Sequence, residues 1–365
     1  MKTETDLKKM IEKITYIDRA YERTIHERWN HLAKPIGSLG LLEDMVARLG
    51  AIQENIHPSV QKRAIVVMAG DHGVVAEGVT QTGQEVTKSV MENMLVTASS
   101  ITPFAKISHA DVIPVDVGIA SDIETDLVWK KKVRYGTGNI RREAAMTRAE
   151  AVQSIFAGLE VMKELKENGY QAVATGEMGI GNTTMSSAIC AYLLHQPVEM
   201  VTGKGAGLPN DAYSHKIQVI KDILNLHKPD ENDMIDVLTK IGGLELGGLI
   251  GCFLGAGYYR MPIIVDGFIS SVAAYMAIKM APEASDYLFA SHCSEEPAGK
   301  LMLNALGLKA YFYGNMRLGE GTGAAMCFSF MDYALAAYEG IPSFDEAEIE
   351  EYTPFEELEN EENKG

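Results

Sequence analysis

The chain has 365 residues, of which 46% are hydrophobic and 7% aromatic, enough for a large domain with a buried core and a smaller second domain. Its net charge of −17 argues against nucleic acid or an anionic membrane as a partner. The four cysteines are widely spaced without a C-x-x-C pair, and the charged start lacks an apolar run. These features predict a reduced, cytoplasmic protein without a zinc ribbon or a signal peptide.

The N-terminal residues 1–33 are polar and predicted to be helical, with one apolar face formed by Leu7, Met10, Ile11, Ile14 and Ile17. Residues 326–340 also have a helical pattern. Because the ends of a chain often lie close together, we expect residues 1–33 and 331–343 to form a small helical domain.

Apolar runs of strand length predict strands at residues 64–69, 111–117, 172–175, 262–265 and 310–313. A helix is predicted over residues 147–168, because apolar residues recur at helical spacing after a Thr147–Glu150 capping box and stop before Gly169. Helices alternating with mostly apolar strands, as in strands buried on both faces, predict an α/β fold, a Rossmann-like parallel sheet flanked by helices, in a large domain of residues 34–330.

Two further stretches have a distinctive composition. The run 241–270 is nearly apolar, but charged residues interrupt it and its glycines favour close helix packing in a core over a membrane span. Residues 344–365 contain ten acidic residues and one lysine, more than half of the net charge, and we expect them to form a solvated acidic tail.

A glycine-rich segment at residues 176–184 starts at the end of a predicted strand and opens a helix that should run to about Leu194. Exposed amide groups and the helix N-terminus favour a phosphate there. Asn182 occupies the place of the P-loop lysine and Glu177 would repel a triphosphate, so a monophosphate is the better ligand. A tight turn with Asn182 or Thr183 as a helix cap is the alternative interpretation.

A second glycine loop, residues 202–209, contains Lys204, and Lys216 follows in the next helical stretch. Either lysine could contact a phosphate or ribose, although a lone lysine is more often a solvated surface residue. Asp71 and His72 follow the first strand, where α/β proteins bind ligands. They could equally pair with each other and organise the loop.

The segment 264–271 superficially resembles the loop that binds a Mg²⁺-bound pyrophosphate donor. It has only one acid, Asp266, which disfavours such a donor. Segment 291–295 contains His292, Cys293 and Glu295, but no second ligand pair lies at metal spacing, so we expect a polar loop beside the ligand and no metal. In segment 315–324, Glu320 is the one carboxylate among three glycines, and so can closely approach a small ligand.

Taken together, six segments resemble the nicotinate-nucleotide:dimethylbenzimidazole phosphoribosyltransferase family, which activates the lower-ligand base of cobamides. They are residues 34–40, 69–73, 136–140, 176–184, 265–270 and 316–324. The resemblance covers residues 30–335 in the family's order. It implies transfer of phosphoribosyl from nicotinate mononucleotide to an aromatic base, no cofactor, and a homodimer, or a heterodimer with a paralogue.

The resemblance also implies the site residues. Glu320 is the expected general base, with Glu177 as the second catalytic residue. The expected substrate-binding residues are Gly176, Met178, Gly179, Ile180, Gly181, Asn182, Thr183, Thr184, Gly203, Lys216, Ser294, Arg317, Leu318, Gly319, Thr82 and Val90. Nicotinate on ribose is already a cationic leaving group, and Glu320 can accept the proton of the attacking azole. Enclosure by Leu318 and Met178 would raise the pKa of Glu320.

The sequence departs from the family pattern beside the base pocket. Family members carry Ser-Pro after the Glu-Gly-Val segment, whereas the corresponding run here, residues 79–87 with Thr82 in it, has no Ser-Pro. Val90 stands where a glutamine is expected. Loss of that polar group could admit a phenol such as p-cresol as the acceptor. Two alternatives remain open from the sequence, a nucleotide-dependent small-molecule kinase and a non-catalytic paralogue subunit.

Overall fold

The structure, a computed structural model, describes residues 2–205 and 207–352, without the side chains of residues 97 and 98. The strands are β1 Arg63–Gly70, β2 Asp111–Gly118, β3 Trp129–Lys130, β4 Ala172–Met178, β5 Ile263–Val265 and β6 Leu288–Ala290. The α-helices are α1 Glu4–Ile11, α2 Arg19–His31, α3 Leu41–Gln53, α4 Glu85–Asn93, α5 Ile101–Ile107, α6 Arg148–Glu167, α7 Asn182–Leu193, α8 Val198–Val201, α9 Asn210–His227, α10 Met234–Ile241, α11 Leu244–Tyr259, α12 Phe268–Met280, α13 Gly299–Leu306 and α14 Thr322–Gly340. Short 3₁₀ segments occupy Gly73–Glu77 and Pro282–Tyr287, and a π turn occupies Met94–Ala98.

The six strands form one parallel sheet in the order β3-β2-β1-β4-β5-β6. Every residue of β1 is buried, as expected for a strand with helices on both faces. The strand order reverses between β1 and β4, the arrangement of a Rossmann-like fold, and ligands bind outside the carboxyl ends of the strands at such a point. The predicted fold class is therefore confirmed.

Four of the predicted strands are present, but the strand predicted at residues 310–313 is wrong. The last strand of the sheet is β6, whose Leu288 pairs with Ile263 of β5. Phe312 makes only an isolated bridge to His292, and the side chain of Tyr313 is 76% exposed. With three residues, β6 is too short to stand out by periodicity, whereas the aromatic run at 310–313 imitates a strand.

The predicted helix at residues 147–168 is confirmed as α6, with both hydrogen bonds of the Thr147–Glu150 capping box. Helix α11, from the apolar run 241–270, packs on α6 at glycines. A Cβ on Gly158 would lie 1.9 Å from the carbonyl oxygen of Gly248, and one on Gly251 equally close to that of Ile155. These glycines therefore permit close helix packing, as expected. Within the described residues, no helix is both long and apolar enough to cross a membrane.

The described residues fall into two compact units, one within Met1–Tyr16 and Gln61–Cys327 and the other within Ile17–Val60 and Phe328–Gly365. The predicted boundaries placed residues 1–33 together in the helical domain. In the structure residues 2–16 belong to the large unit, where Glu4 of α1 forms a 2.8 Å ion pair with Arg148 at the start of α6. The predicted continuous apolar face is interrupted, since α1 ends at Ile11 and α2 begins at Arg19.

The smaller unit is built around aromatic and aliphatic residues from both parts of its chain. The rings of Trp29 and Tyr338 lie 4.9 Å apart, and Ile25 packs against Gly50. Most of the predicted acidic tail, from residue 353 onward, lies outside the described residues.

Candidate active site

A cavity of about 400 Å³ opens in the large unit beside the carboxyl ends of β4 and β5. Its walls include segments 177–183 and 317–320, together with Thr82, Lys216 and Ser294. All the predicted site residues line this cavity except Gly176, Thr184, Gly203 and Val90. The segments lie together at the carboxyl end of the sheet, near the point of reversed strand order where this fold binds ligands.

The four exceptions lie close behind the cavity wall. A Cβ on Gly176 would come within 2.6 Å of the carbonyl oxygen of Glu320, so this glycine lets the Glu320 loop approach β4. Thr184 is fully buried in α7. A Cβ on Gly203 would overlap the carboxylate of Glu296. Val90 lines a separate cavity of about 190 Å³, which also reaches Glu320.

Glu320 lies in an unusual backbone conformation. Gly319, Glu320 and Gly321 have φ angles of +87°, +57° and +89°, a left-handed run that strains the non-glycine residue in its middle. The amide N–H of Ile101, at the start of α5, donates a 3.3 Å hydrogen bond to the Glu320 carboxylate. Burial raises the pKa of Glu320 despite the hydrogen bonds to its carboxylate. Leu318 is 55% exposed, so the expected enclosure by this residue is not present.

Asp266 holds the Glu320 loop in place. Its buried carboxylate accepts hydrogen bonds from the amide groups of Gly321, at 3.2 Å, and Ala324, at 2.9 Å. These groups belong to the N-terminus of α14, where a carboxylate is favoured. The lone acid of segment 264–271 therefore fixes a loop. Sequence reasoning singled it out but did not include it among the site residues.

Glu177 projects into the cavity from the end of β4 and is 8% exposed. Burial raises the pKa of this carboxyl to about 8, against the hydrogen bond that Asn182 Nδ2 donates to it. A Cβ on Gly319 would lie 2.4 Å from Glu177 Oε1, so only a glycine lets the two loops approach this closely. Because of the raised pKa, the Glu177 carboxyl is protonated in most molecules at neutral pH, and in that form it can donate a hydrogen bond.

Lys216 is fully buried in α9, and its ammonium group reaches the N-terminus of α7. Nζ donates to Thr183 Oγ1 at 2.9 Å and to the carbonyl oxygen of Gly203 at 3.2 Å. Burial lowers the pKa of Lys216 to about 8. The nearby amide groups of Gly181 and Thr183 have no acceptor among the described residues. An ammonium group and free amides at one helix N-terminus form an anion site.

The pair Asp71–His72 lies below the cavity floor, not in its lining. His72 Nε2 lies 2.8 Å from Glu245 Oε1, and Asp71 Oδ2 accepts the amide N–H of Ala120 at 2.8 Å. His72 therefore pairs with Glu245, a residue that sequence reasoning did not single out because it lies far away in the chain. Burial opposes the charge on His72, but Glu245 and Asp71 together raise its pKa.

The loop after β6 contributes His292, Ser294 and Glu296 to the cavity wall. Sequence reasoning placed this polar loop beside the ligand but missed Glu296, whose pKa is raised by burial against the nearby charges of Lys216 and Arg317. Among the described residues, no three His, Cys, Asp or Glu side chains are grouped as a metal site requires.

A Rossmann-like sheet with a sugar-phosphate-sized cavity and an anion site at its carboxyl edge is an architecture suited to a nucleotide-using transferase. Residues 14–349 match a family model described as phosphoribosyltransferase, and the chain belongs to this family.

Named relatives cover nearly the whole chain. The nicotinate-nucleotide–dimethylbenzimidazole phosphoribosyltransferase of Clostridium acetobutylicum is 42% identical over 349 residues, which span 96% of this chain and 99% of the relative. The protein of the same name from Acetivibrio thermocellus is 43% identical, spanning 90% of this chain and 94% of the relative. The crystal structure of CobT from Thermus thermophilus superposes with a TM-score of 0.85 at 36% identity, covering 92% of this chain and 99% of that one.

Proposed function

We propose that this chain transfers the phosphoribosyl group of nicotinate mononucleotide to an aromatic base, which gives an α-ribotide 5′-phosphate and nicotinate. The observation that carries the proposal is that Glu177, Lys216 and Glu320 line one cavity although they come from three separate segments. The names of the relatives support the same reaction.

The phosphate of the donor fits the N-terminus of α7. The free amides of Gly181 and Thr183 can donate to its oxygens, and the Lys216 ammonium group supplies a positive charge at the same place. A dianion there would also stabilise the protonated form of Lys216, whose pKa burial lowers to about 8.

The chemistry is a displacement at C1′ of the ribose. The incoming base forms a bond to C1′ on the face opposite to nicotinate, so the β donor gives an α product. The C1′–N bond breaks, and its electron pair neutralises the pyridinium nitrogen of the departing nicotinate. Glu320 accepts the proton of the base, and its raised pKa brings it nearer to neutral pH, where a general base works best.

Glu177 is best assigned to orienting the reacting ribotide. Its protonated carboxyl can donate a hydrogen bond, and Asn182 fixes one of its oxygens. A protonated group also avoids placing a second negative charge beside Glu320, which lies close enough to contribute to the raised pKa of Glu177.

The acceptor is dimethylbenzimidazole or a related base, and Val90 makes phenol or p-cresol an additional candidate. Val90 and Ser100 lie in the small cavity that reaches Glu320, where an acceptor has to present its proton. The other predicted residues of the site, among them Thr82, Ser294 and Arg317, bind the two substrates around this centre.

Incubation of the purified protein with nicotinate mononucleotide and a panel of bases tests the proposal. Mass spectrometry should detect free nicotinate and the matching ribotide phosphate in equal amounts. Dimethylbenzimidazole, adenine, phenol and p-cresol form the panel, and ATP with Mg²⁺ serves as the comparison for a kinase. The proposal would be contradicted if no base in the panel led to free nicotinate, or if the protein phosphorylated one of these small molecules with ATP. The family and the relatives do not favour the kinase or the non-catalytic paralogue.

A homodimer in the cytoplasm is part of the same proposal, with a heterodimer with a paralogue as the second possibility. The four free cysteines are consistent with a reducing compartment. Light scattering on the purified chain should give twice the mass of 39.8 kDa. A monomer that becomes active only with another chain would point to the heterodimer.

A further inference from the structure

Segment 136–142 is anchored to the sheet but is not part of the cavity lining. The amide N–H of Gly136 donates to the carbonyl oxygen of Gly118, at the end of β2, at 3.0 Å. The amide N–H of Thr137 donates to the carbonyl oxygen of Asp71, directly after β1, at 2.9 Å. These backbone hydrogen bonds connect the segment to two neighbouring strands. The segment is therefore a firm base for the side chains that it carries.

Arg141 projects from this base and bridges two carboxylates from separate parts of the chain. Its Nη1 donates to Glu77 Oε2 at 2.8 Å, and its Nε and Nη2 both donate to Asp222 Oδ2, at 3.1 Å and 2.7 Å. Glu77 ends the 3₁₀ segment after β1 and has a side chain that is 6% exposed, whereas Asp222 lies in α9. Because the donors of a guanidinium group have fixed directions, Arg141 sets how far α9 lies from the 3₁₀ segment.

Helix α9 is held at a second point on the same face. His215 Nε2 lies 2.7 Å from the carbonyl oxygen of Glu77, and since a carbonyl oxygen can only accept, this nitrogen donates. His215 and Asp222 are separated by about two helical turns, so they lie on one face of α9. Two contacts along one face fix the rotation of a helix as well as its position. The side chain that follows His215 is Lys216, and its direction is set by the same contacts.

The position of α9 matters for Lys216 because nothing else fixes its direction as strictly. Its ammonium group donates to Thr183 Oγ1 and to the carbonyl oxygen of Gly203, both uncharged acceptors. An ammonium group is a point charge on a flexible stem, so it has no fork that could fix its own orientation. We propose that Arg141 is a positioning residue, which holds α9 so that the Lys216 ammonium group lies at the phosphate site. This inference rests on the proposed function, in which Lys216 binds the phosphate.

Arg148 offers a matched control, because it has the same bonding but lies elsewhere. It also donates three hydrogen bonds to two carboxylates, two of them to Glu4, at 2.8 Å and 3.0 Å, and one to Asp233, at 2.7 Å. The side chains of Arg141 and Arg148 are 30% and 40% exposed. Arg148 joins α6 to α1 and to the cap of α10, and it does not line the cavity. Loss of either arginine removes a similar network, but only Arg141 is connected to α9.

The test measures the affinity for ribose 5-phosphate by calorimetry in the wild type, Arg141→Gln and Arg148→Gln. We expect Arg141→Gln to raise the Kd by about tenfold, roughly the effect of weakening one hydrogen bond to a charged group. Arg148→Gln should keep the Kd of the wild type. An equal rise in both variants would show that the effect comes from a general loosening of the fold, which overturns the inference.

Steady-state kinetics supplies a readout that a merely stabilising residue would not change in this way. Arg141→Gln should raise the KM for nicotinate mononucleotide by the same factor as the Kd for ribose 5-phosphate. Its kcat should stay within about twofold of that of the wild type, because the phosphate is bound equally in the ground state and the transition state. A fall in kcat with an unchanged KM would contradict a role at the phosphate site.

A double-mutant cycle shows whether Arg141 acts through Lys216. Lys216→Met alone should weaken the binding of ribose 5-phosphate, since it removes the positive charge. In that background Arg141→Gln should have no further effect, because there is no ammonium group left to position. If the effects of the two substitutions multiply in full, Arg141 acts independently of Lys216 and the inference is wrong.

A second variant covers the case in which Arg141→Gln does not fold. Asp222→Ala removes only the α9 end of the bridge and leaves Glu77 with its hydrogen bonds from Asn139 and Arg142, at 2.6 Å and 2.9 Å. It should raise the Kd for ribose 5-phosphate in the same direction. An unchanged Kd in this variant overturns the inference.

The inference and the proposed function fail differently. If the wild type releases no nicotinate from nicotinate mononucleotide with any base, the proposed function is wrong. If the wild type turns over and the Arg141 and Asp222 variants bind ribose 5-phosphate as tightly as it does, only the positioning role of Arg141 is wrong.

Discussion

Buried ionisable side chains have an oppositely charged partner in the smaller unit but lack one in the cavity of the larger unit. In the smaller unit, Lys34 Nζ lies 2.7 Å from Glu43 Oε1, with side chains that are 7% and 6% exposed. Glu43 also accepts the amide N–H of Leu39 at 3.0 Å. In the cavity of the larger unit, Lys216 and Glu177 are as deeply buried, yet neither has an oppositely charged side chain within 4 Å among the described residues.

The difference indicates what each set of charges is for. A buried charge without a partner destabilises the folded state, because the group has lost its hydration. Residues of this kind persist where a ligand supplies the missing partner, and their pKa values are shifted for the same reason. In the proposed function, Lys216 binds a phosphate and Glu320 accepts a proton from the base, whereas Lys34 and Glu43 already bind each other.

Among the cavity residues, removal of the charge on Glu320 should have the largest effect on catalysis. We expect Glu320→Gln to lower kcat by about 10²–10⁴-fold, because the amide cannot accept the proton of the base. The KM for nicotinate mononucleotide should change little, since the phosphate binds elsewhere. Steady-state kinetics measures both constants, with the exposed Glu295→Gln as the control.

The free energy of unfolding of the same variant sharpens the comparison. Glu320→Gln should be at least as stable as the wild type at neutral pH, because burial raises the pKa of Glu320 and so disfavours its charged form in the folded chain. A variant that keeps the wild-type kcat, or that loses activity only by unfolding, would show that Glu320 is not the base.

In the smaller unit, the corresponding change should act on stability. Lys34→Met leaves Glu43 buried without its partner, and we expect the free energy of unfolding to fall by about 3–5 kcal/mol. Lys88→Met, which breaks a partly exposed pair with Glu92, should cost less than about 1 kcal/mol. Urea unfolding measures both. Equal effects of the two substitutions would show that the buried Lys34–Glu43 pair contributes no more to stability than a partly exposed pair.

The pH dependence of stability should reveal the unpaired Glu177. Its pKa is raised from 4.5 to about 8 in the folded chain. Between these values the folded state keeps a proton that the unfolded state has lost. The stability contributed by this group is therefore complete below about pH 4.5 and is lost as the pH rises towards 8, by up to about 1.4 kcal/mol per pH unit.

The variant Glu177→Gln lacks this dependence. The free energy of unfolding of the variant, relative to that of the wild type, should therefore increase as the pH rises from 5 to 8. Urea unfolding of the two ligand-free proteins measures this difference. Lys216, whose pKa is lowered from 10.5 to about 8, changes the free energy of unfolding only above about pH 8 and so does not interfere. Parallel curves for wild type and variant between pH 5 and 8 would mean that Glu177 is charged in the folded protein.

The sequence predicted those parts of the fold that local patterns encode. The capping box of α6 and the mostly apolar strands predicted the Rossmann-like sheet, because a strand buried on both faces has few polar residues. The three-residue strand β6 was missed, since its position depends on pairing with β5 and not on its own composition.

The candidate site shows the same division. Glycine segments identified the Glu177 and Glu320 loops, whereas Glu245, the partner of His72, and Glu296 became visible only in three dimensions. Their neighbours are distant in the chain, and no spacing rule connects them. Arg141 directly follows a recognised segment, but its bridge between Glu77 and Asp222 is a property of the packed structure.

The smallest expected effect concerns the acceptor, at the junction of the two cavities. Val90 of α4 is half-buried and lines the small cavity that reaches Glu320. Val90→Gln would place an amide where it can hydrogen-bond a second ring nitrogen, which dimethylbenzimidazole has and phenol lacks. We expect the variant to favour dimethylbenzimidazole over phenol by about two- to tenfold relative to the wild type, the usual net contribution of one neutral hydrogen bond.

Val86→Gln, one turn earlier on the same helix and outside both cavities, should leave the preference unchanged in competition assays. A shift of the same size in both variants would trace it to α4 as a whole, and no shift in either would place the acceptor away from Val90.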